Sequence, residues 1–334
     1  MTIIKKFMET ATITESKKTV HFDLITSPHL HSKWSTSKVM WFVNLALVPC
    51  IVSALVFFGI YQALIMITAV VFAIGTEVVI QSIRKKQVTW FDGSAALTGL
   101  LLSLTLPPNF SLSATAIGSV VAIGLGKQIF GGLGYNIFNP ALVGRAFLQA
   151  AFPVQITTWT QPNFAVDAVT SATPLAAFKF DKILTAQTPL MIGNIGGSLG
   201  ETSAIAVLVG GIFLIAVGIV NWRIPLSMII GMFLFGGIFW LINPQNPSPL
   251  FHIFAGSFLF GAMFMATDWV SSPITNKGMW IFGLGISLVL IVIRIYGGLP
   301  EGVMYSILFM NGFVPLINRY TTPRIFGAVK EEKK

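Results

Sequence analysis

Apolar residues run along this chain in long blocks rather than in the narrow stripes of a soluble core. From Val39 to Thr76 there is no charged residue, enough length for two helical crossings at about 20 residues each. Reading the blocks between their Gly, Pro and charge boundaries predicts about ten transmembrane helices. They cover 39–59, 62–83, 92–106, 112–130, 139–152, 203–220, 225–242, 250–267, 279–296 and 301–317. The third stops at Pro107-Pro108 and the fifth lies between Asn139-Pro140 and Pro153. Both are short for a full crossing, as the half-crossing or broken helices of transporters are. The expected fold class is an all-α integral membrane protein.

A second pattern groups these helices. DGSAALTG at 92–99 and FGGL at 130–133 are echoed by AGSFLFG at 255–261 and YGGL at 296–299, each set followed by an apolar block. The third to fifth spans thus match the eighth to tenth. Two halves with an odd number of spans each face opposite ways across a bilayer, so the expectation is two inverted five-helix repeats. Chance recurrence of Gly-rich helix packing would leave a similar trace. The organisation that follows is a cytoplasmic arm over 1–37, a first membrane repeat over 38–152, a connecting loop over 153–202, a second repeat over 203–318 and a basic tail over 319–334.

Composition supports the membrane reading, because 54% of the residues are hydrophobic and 10% charged, against roughly one quarter charged in soluble domains. The net charge of +9 does not point to nucleic acid, since the basic residues sit at the ends of apolar spans. Lys5, Lys6, Lys17, Lys18, Lys33, Lys38, Arg84, Lys85, Lys86, Lys127, Arg223, Lys277, Arg319, Arg324, Lys330, Lys333 and Lys334 fall on one side if both termini are inside. Lys179 and Lys182 alone fall in an outside loop. Cytoplasmic termini and an extracytoplasmic 153–202 loop satisfy the positive-inside rule. Residues 1–37 lack the apolar core of a signal peptide.

The single cysteine, Cys50, lies in an apolar block and reads as a small buried hydrophobe. It cannot hold an iron–sulfur cluster alone, and His21, His29, His31 and His252 are too scattered for a metal site. The ionisable groups in or beside spans are Glu77, Asp92, Arg145, Asp268, Arg294 and Glu301, each needing a reason in hydrocarbon. Asp92 and Glu301 stand at span starts, where a carboxylate satisfies orphan backbone N–H groups. Glu77, about two turns from Arg84, and Asp268, beside the hydroxyls of ATDWVSSPIT, are open to an ion-binding or a structural role. GGLGYN at 131–136 and GNIGGSLG at 193–200 lack the strand context of a phosphate loop and read as tight turns. Trp34, Trp41, Trp90, Trp159, Trp222, Trp269 and Trp280 lie near span ends, as an interfacial belt requires.

The long loop carries DAVTSATPL, residues 167–175. By itself a Ser/Thr cluster before a proline is a turn, with Pro174 holding the residue before it extended. Four stretches in order, DGSAALTGLLLSLTLPP at 92–108, GYNIFNPALVGRAF at 134–147, TSATPL at 170–175 and ATDWVSSPIT at 266–275, resemble the family of membrane subunits that includes RnfD of the Rnf complex and NqrB of the sodium-pumping NADH:quinone oxidoreductase. The short arm fits the RnfD branch better than the longer NqrB one. The resemblance implies FMN attached covalently through a phosphoester to Thr173 by a separate flavin transferase, with Asp167, Thr170, Ser171 and Ala172 completing the motif. Ser171 stands in a slot usually filled by glycine or another small residue.

It also allows a noncovalent riboflavin near the cytoplasmic side. The implied role is electron relay between reduced ferredoxin and NAD coupled to sodium or proton export, alongside C, G, E, A and B type Rnf subunits in the lipid bilayer of the bacterial cytoplasmic membrane. This chain would supply no nicotinamide site and no catalytic residue of its own. An exposed loop would give the transferase access to Thr173. The alternatives are an NqrB-type subunit, a cofactor-free channel or secondary transporter, and an assembly scaffold.

Overall fold

The computed structural model describes residues 34–162, 170–193 and 195–323. The chain falls into two units, Met1–Ser35 and Thr36–Lys334, and the second holds both apolar halves in one compact body. Helix forms over every apolar stretch named above. Among the described residues, Thr36–Phe58, Tyr61–Ile83, Arg223–Ile242 and Asn276–Tyr296 are long and apolar enough to cross a membrane.

In the first half these helices are α1 (Thr36–Ala46), α2 (Val48–Phe58), α3 (Tyr61–Ile83), α4 (Ser94–Leu104), α5 (Leu112–Ile123) and α6 (Pro140–Ala151). The second half has α7 (Ala204–Val217), α8 (Arg223–Ile242), α9 (Pro249–Phe254), α10 (Phe258–Phe260), α11 (Asn276–Tyr296) and α12 (Val303–Thr321). Several starts are chemically marked. Ser111, Asn139, Ser203 and Thr275 each accept a hydrogen bond from a first-turn backbone N–H, the exchange that makes such residues good N-caps.

Some helices are more broken than periodicity indicates. The block expected over 39–59 bends at Leu47, with Pro49 in the first turn of α2, where its missing N–H has no helical partner to lose. α5 and α10 run into π-helical turns, Gly124–Gln128 and Gly261–Met265. The block expected over 250–267 is split at Ala255–Ser257, between α9 and α10. Gly93 (φ 78°) and Gly256 (φ 71°) are both left-handed and lead directly into Ser94 and Ser257.

Small residues let the helices approach closely. A Cβ on Gly283 would overlap Ser227 Oγ, and one on Gly231 would lie 2.8 Å from Ser287 Cβ. The α8–α11 contact therefore excludes larger side chains and is fastened by Ser287 Oγ donating to the Met228 carbonyl at 2.6 Å. One hydrophobic cluster runs through both halves, including Leu47, Leu102, Leu142, Phe258, Phe282 and Ile307, with Cys50 buried in it as expected. On the outside, α3 exposes Leu64, Ile67, Val71, Phe72 and Val79, a surface suited to hydrocarbon. Tryptophans fasten helix ends: Trp41 donates to the Phe91 carbonyl and Trp269 to that of Ile219.

Two buried ion pairs form among the described residues, not both as expected. Glu77 is fully buried, and its partner is Lys127 at 2.7 Å, not Arg84, whose guanidinium goes to the Gln128 carbonyl. Gln128 and Gln81 also donate to Glu77 Oε1, and Lys127 donates to Ser94 Oγ at 2.6 Å. Ser94 in turn is held by Asp92, which accepts from its backbone N–H and hydroxyl, the capping role expected. Glu301 differs from expectation. Its carboxylate turns from the α12 backbone to Arg145 and Ser257, because a buried guanidinium is the stronger partner.

Lys127→Met should destabilise the protein by about 3–5 kcal/mol, since it strands the buried Glu77 charge. Adding Glu77→Gln should recover most of that loss. Denaturation of the detergent-solubilised single and double variants measures both.

Candidate functional site

The connection over 153–202 is not a bare loop. A short helix, Pro153–Thr157, leads to a two-residue strand, Trp159–Thr160, which pairs antiparallel with Thr170–Ser171. This small ladder is the one departure from an all-α fold among the described residues. Asp167 lies outside those residues, and Thr170 and Ser171 are described by backbone alone.

Beyond the ladder the chain turns into helix at Thr173. Its φ of −64° and ψ of 155° are extended, as the following Pro174 requires. The hydroxyl accepts from Ala176 N at 3.2 Å and so caps the Pro174–Ala176 turn. Thr173 is only 3% exposed, which corrects the expectation of a freely accessible threonine. Its hydroxyl is engaged by the cap, while the adjacent Ala172 remains exposed.

Two fastenings hold this segment to the second half. Leu175 packs over the glycine break before α10: a Cβ on Gly256 would lie 2.6 Å from Leu175 Cδ1, 3.2 Å from Arg294 NH2 and 3.7 Å from Glu301 Oε1. Lys179 then donates to the carbonyls of Arg294, Gly297 and Leu299. A cation on the carbonyl end of α11 is favourable both as a hydrogen bond and against the helix dipole.

Beneath the segment lies a charge cluster between the halves. Arg145, on α6, donates to the Thr105 carbonyl at the end of α4 and to Glu301 Oε2 at 3.0 Å. Arg294, on α11, donates to the carbonyls of His252 and Ala255, closing the end of α9. Glu201 sits in the turn after the long connection, where Oε1 accepts from Ser198 N at 3.1 Å. Burial first, then the charge of Glu301, push its carboxyl up to about 7, while Arg145 pulls the other way. The turn is anchored by Leu199 N and Gly200 N donating to the Leu106 and Leu104 carbonyls.

The opposite end of α10 leads to Asp268. Its carboxylate accepts from Ser271 Oγ at 2.8 Å; burial raises it above the usual carboxylate range, and hydrogen bonds from Ser271 and Asn136 oppose that. A cavity of about 80 Å³ is lined there by Ser94, Lys127, Asn136, Asn139, Asp268 and Trp269, with apolar side chains between. Asp268 and the partner of Glu77 therefore share one cavity, although Thr173 lies at the other end of the body. Asn139 ties the halves here by donating to the Met265 carbonyl at 3.1 Å.

Sequence reasoning missed the Glu77–Lys127 pair, the Arg145–Glu301 bridge and Glu201. Charge in an apolar span was the available signal for the first two, but partners 50 and 156 residues apart leave no local periodicity. Glu201 stood in the sequence as an ordinary loop acid.

Residues 24–327 match the family model described as the NQR2, RnfD, RnfE family. The chain is similar to the D subunit of the proton-translocating ferredoxin:NAD(+) oxidoreductase complex of Clostridium ljungdahlii, 44% identical over 92% of this chain and 96% of that one. It is similar to the D subunit of the Na(+)-translocating ferredoxin:NAD(+) oxidoreductase complex of Acetobacterium woodii, 42% identical with the same coverage. The D subunit of the ion-translocating oxidoreductase complex of Mannheimia succiniciproducens is 37% identical over 92% of this chain and 98% of that protein.

Glu201 makes stability depend on pH with a definite sign. Its carboxyl titrates near 7 when folded and near 4.5 when unperturbed, so between those values the native state binds more protons. That contribution is complete below about 4.5 and is lost as pH rises through about 7. Thermal unfolding of detergent-solubilised protein should show the wild type losing stability over this window relative to Glu201→Gln.

Proposed function

The chain belongs to the NQR2, RnfD, RnfE family, and from that premise we propose that it is the D subunit of a membrane-bound, ion-translocating ferredoxin:NAD oxidoreductase, carrying FMN covalently on Thr173 and relaying electrons through it. It assembles with C, G, E, A and B type subunits and is matured by a separate flavin transferase. The observation that carries the reading is the fixed placement of Thr173. The TSATPL segment is clamped by Leu175 and Lys179 directly over the charge cluster between the halves.

The residues present fit a phosphoester at this position. Ala172 is exposed beside Thr173, and rotating the threonine side chain outward gives up one capping hydrogen bond, about 0.5–2 kcal/mol. Such a cost is small enough to be met during attachment, and Pro174 keeps the backbone extended while the hydroxyl turns. FMN, once attached through its phosphate, supplies one- and two-electron transfer from its ring. The chain's own contribution is position and charge: Lys179 fixes the segment to α11, and Arg145 and Arg294 place two cations beneath it.

The paired glycine breaks support two inverted halves of about five spans each. In both, a buried cation, Lys127 or Arg294, packs against the break before Ser94 or Ser257. The charge distribution supports cytoplasmic termini and an extracytoplasmic Thr173, because Arg84, Lys86, Arg223, Lys277 and Arg319 gather at the end away from Lys179. The cavity lined by Asn136, Asn139 and Trp269 combines polar groups with apolar walls, the lining chemistry a noncovalent riboflavin would need. Lys127 neutralises Glu77, and Asp268 faces that same cavity; the two acids are the candidate ion-path groups on the cytoplasmic side. The exported cation is sodium or a proton, since relatives of nearly equal identity are named for each.

Intact mass spectrometry tests the assignment. Wild-type protein made with the coexpressed transferase should exceed its polypeptide mass by one FMN, and protein made without the transferase should not. Thr173→Val should abolish in-gel flavin fluorescence. Wild type at bare polypeptide mass despite the transferase would leave a cofactor-free transporter as the better reading.

A further inference from the structure

The charge cluster between the halves contains a carboxylate for which the electron relay has no use. Glu201 is 8% exposed; Oε1 has the Ser198 N–H, but Oε2 is buried without a hydrogen-bond partner. A permanently ionised carboxylate would leave that oxygen uncompensated, at a cost well above that of a neutral acid. Glu301 repeats the pattern: Oε2 takes Arg145 and Ser257, and Oε1 is buried without a partner. Glu301 also lines a small cavity of about 20 Å³, about the size of one water molecule, together with Arg145, Gln149, Ser257 and Tyr305.

We propose that Glu201 is a proton-exchange site, taking up and releasing one proton within the cluster formed by Arg145, Glu301 and Arg294. The step is an acid–base equilibrium: the carboxylate gains one proton from water and releases it to water. No electron or further reactant is required. With Glu201 ionised, the two guanidinium groups balance the two carboxylates; with it protonated, the cluster carries one net positive charge.

The charged and titratable groups around Glu201 come from every element that packs on its turn. Glu301, ahead of α12, disfavours its ionised form, and Arg145 from α6 favours it. Arg294 from α11 feels both Glu201 and Glu301. His252 of α9 lies near Arg294, and Tyr305 of α12 near Arg145. Two neighbouring carboxylates with arginines on either side settle most easily with one of them protonated near neutral pH, and burial selects Glu201.

The location gives the proton a use. Gly256, where Leu175 seats the Thr173 segment, is also where Arg294 and Glu301 converge. A positive charge appearing there favours an added electron on a group carried by Thr173. That consequence rests on the flavin reading above, whereas the proton site itself does not.

Infrared difference spectroscopy of the purified complex during a pH titration reads the site directly. The carbonyl stretch of one protonated carboxyl group should grow in as pH falls through about 7 and shift on deuterium exchange. It should be absent from Glu201→Gln and present in Thr173→Val, so failure of the flavin reading would leave it intact. Glu201→Asp should keep the band with a displaced midpoint, which covers the case that Glu201→Gln fails to assemble. No titrating band in wild type, the same band in Glu201→Gln, or an unmoved midpoint in Glu201→Asp would overturn the proposal.

Discussion

Arg145 is the residue on which the two halves meet: one guanidinium nitrogen closes the carbonyl end of α4 through Thr105, and the other reaches Glu301 at 3.0 Å ahead of α12. Both side chains are largely withdrawn from water, 7% and 16% exposed. Removing one partner of such a pair typically costs about 3–5 kcal/mol, more than most single packing contacts. The helices around it are bound by this demand to one arrangement. The turn bearing Glu201 must dock on Leu104 and Leu106, and the break at Gly256 must leave room for Leu175. The same constraint fixes the other end of the body through Glu77 and Lys127.

These two networks differ in a way that bears on function. Around Glu77 each carboxylate oxygen has a donor, from Lys127, Gln81 or Gln128, so the network has no unmet demand and locks α3 to the end of α5. Around Glu201 and Glu301 two carboxylate oxygens are buried without donors. A fully satisfied network makes a clamp, and an incompletely satisfied one is a place where a proton can come and go. The Thr173 segment lies over the second kind.

Much of the helical layout was legible in the sequence because apolar blocks and their Pro, Gly and Asn boundaries are local signals. Asn139-Pro140 starts α6 as read, Asp92 caps as read, and Pro174 holds Thr173 extended as read. The π-helical turns at Gly124–Gln128 and Gly261–Met265 were not legible, since one extra residue in a helical turn leaves the hydrophobic pattern almost unchanged. The partners of Glu77 and Glu301 were missed because they come from distant segments. Thr173 was legible as a motif residue, but its burial was not, because burial depends on how the segment folds against the rest of the chain. Local chemistry was readable, and pairing across the fold was not.

On the proposed function, a group carried on Thr173 lies in the path of electrons, and the rest of the body holds it in place. Ferredoxin-dependent NAD reduction by purified, fully assembled complex bearing Thr173→Val tests this most directly. The rate should collapse while subunit composition stays normal. An undiminished rate in that assembled variant would contradict it and leave the chain a scaffold.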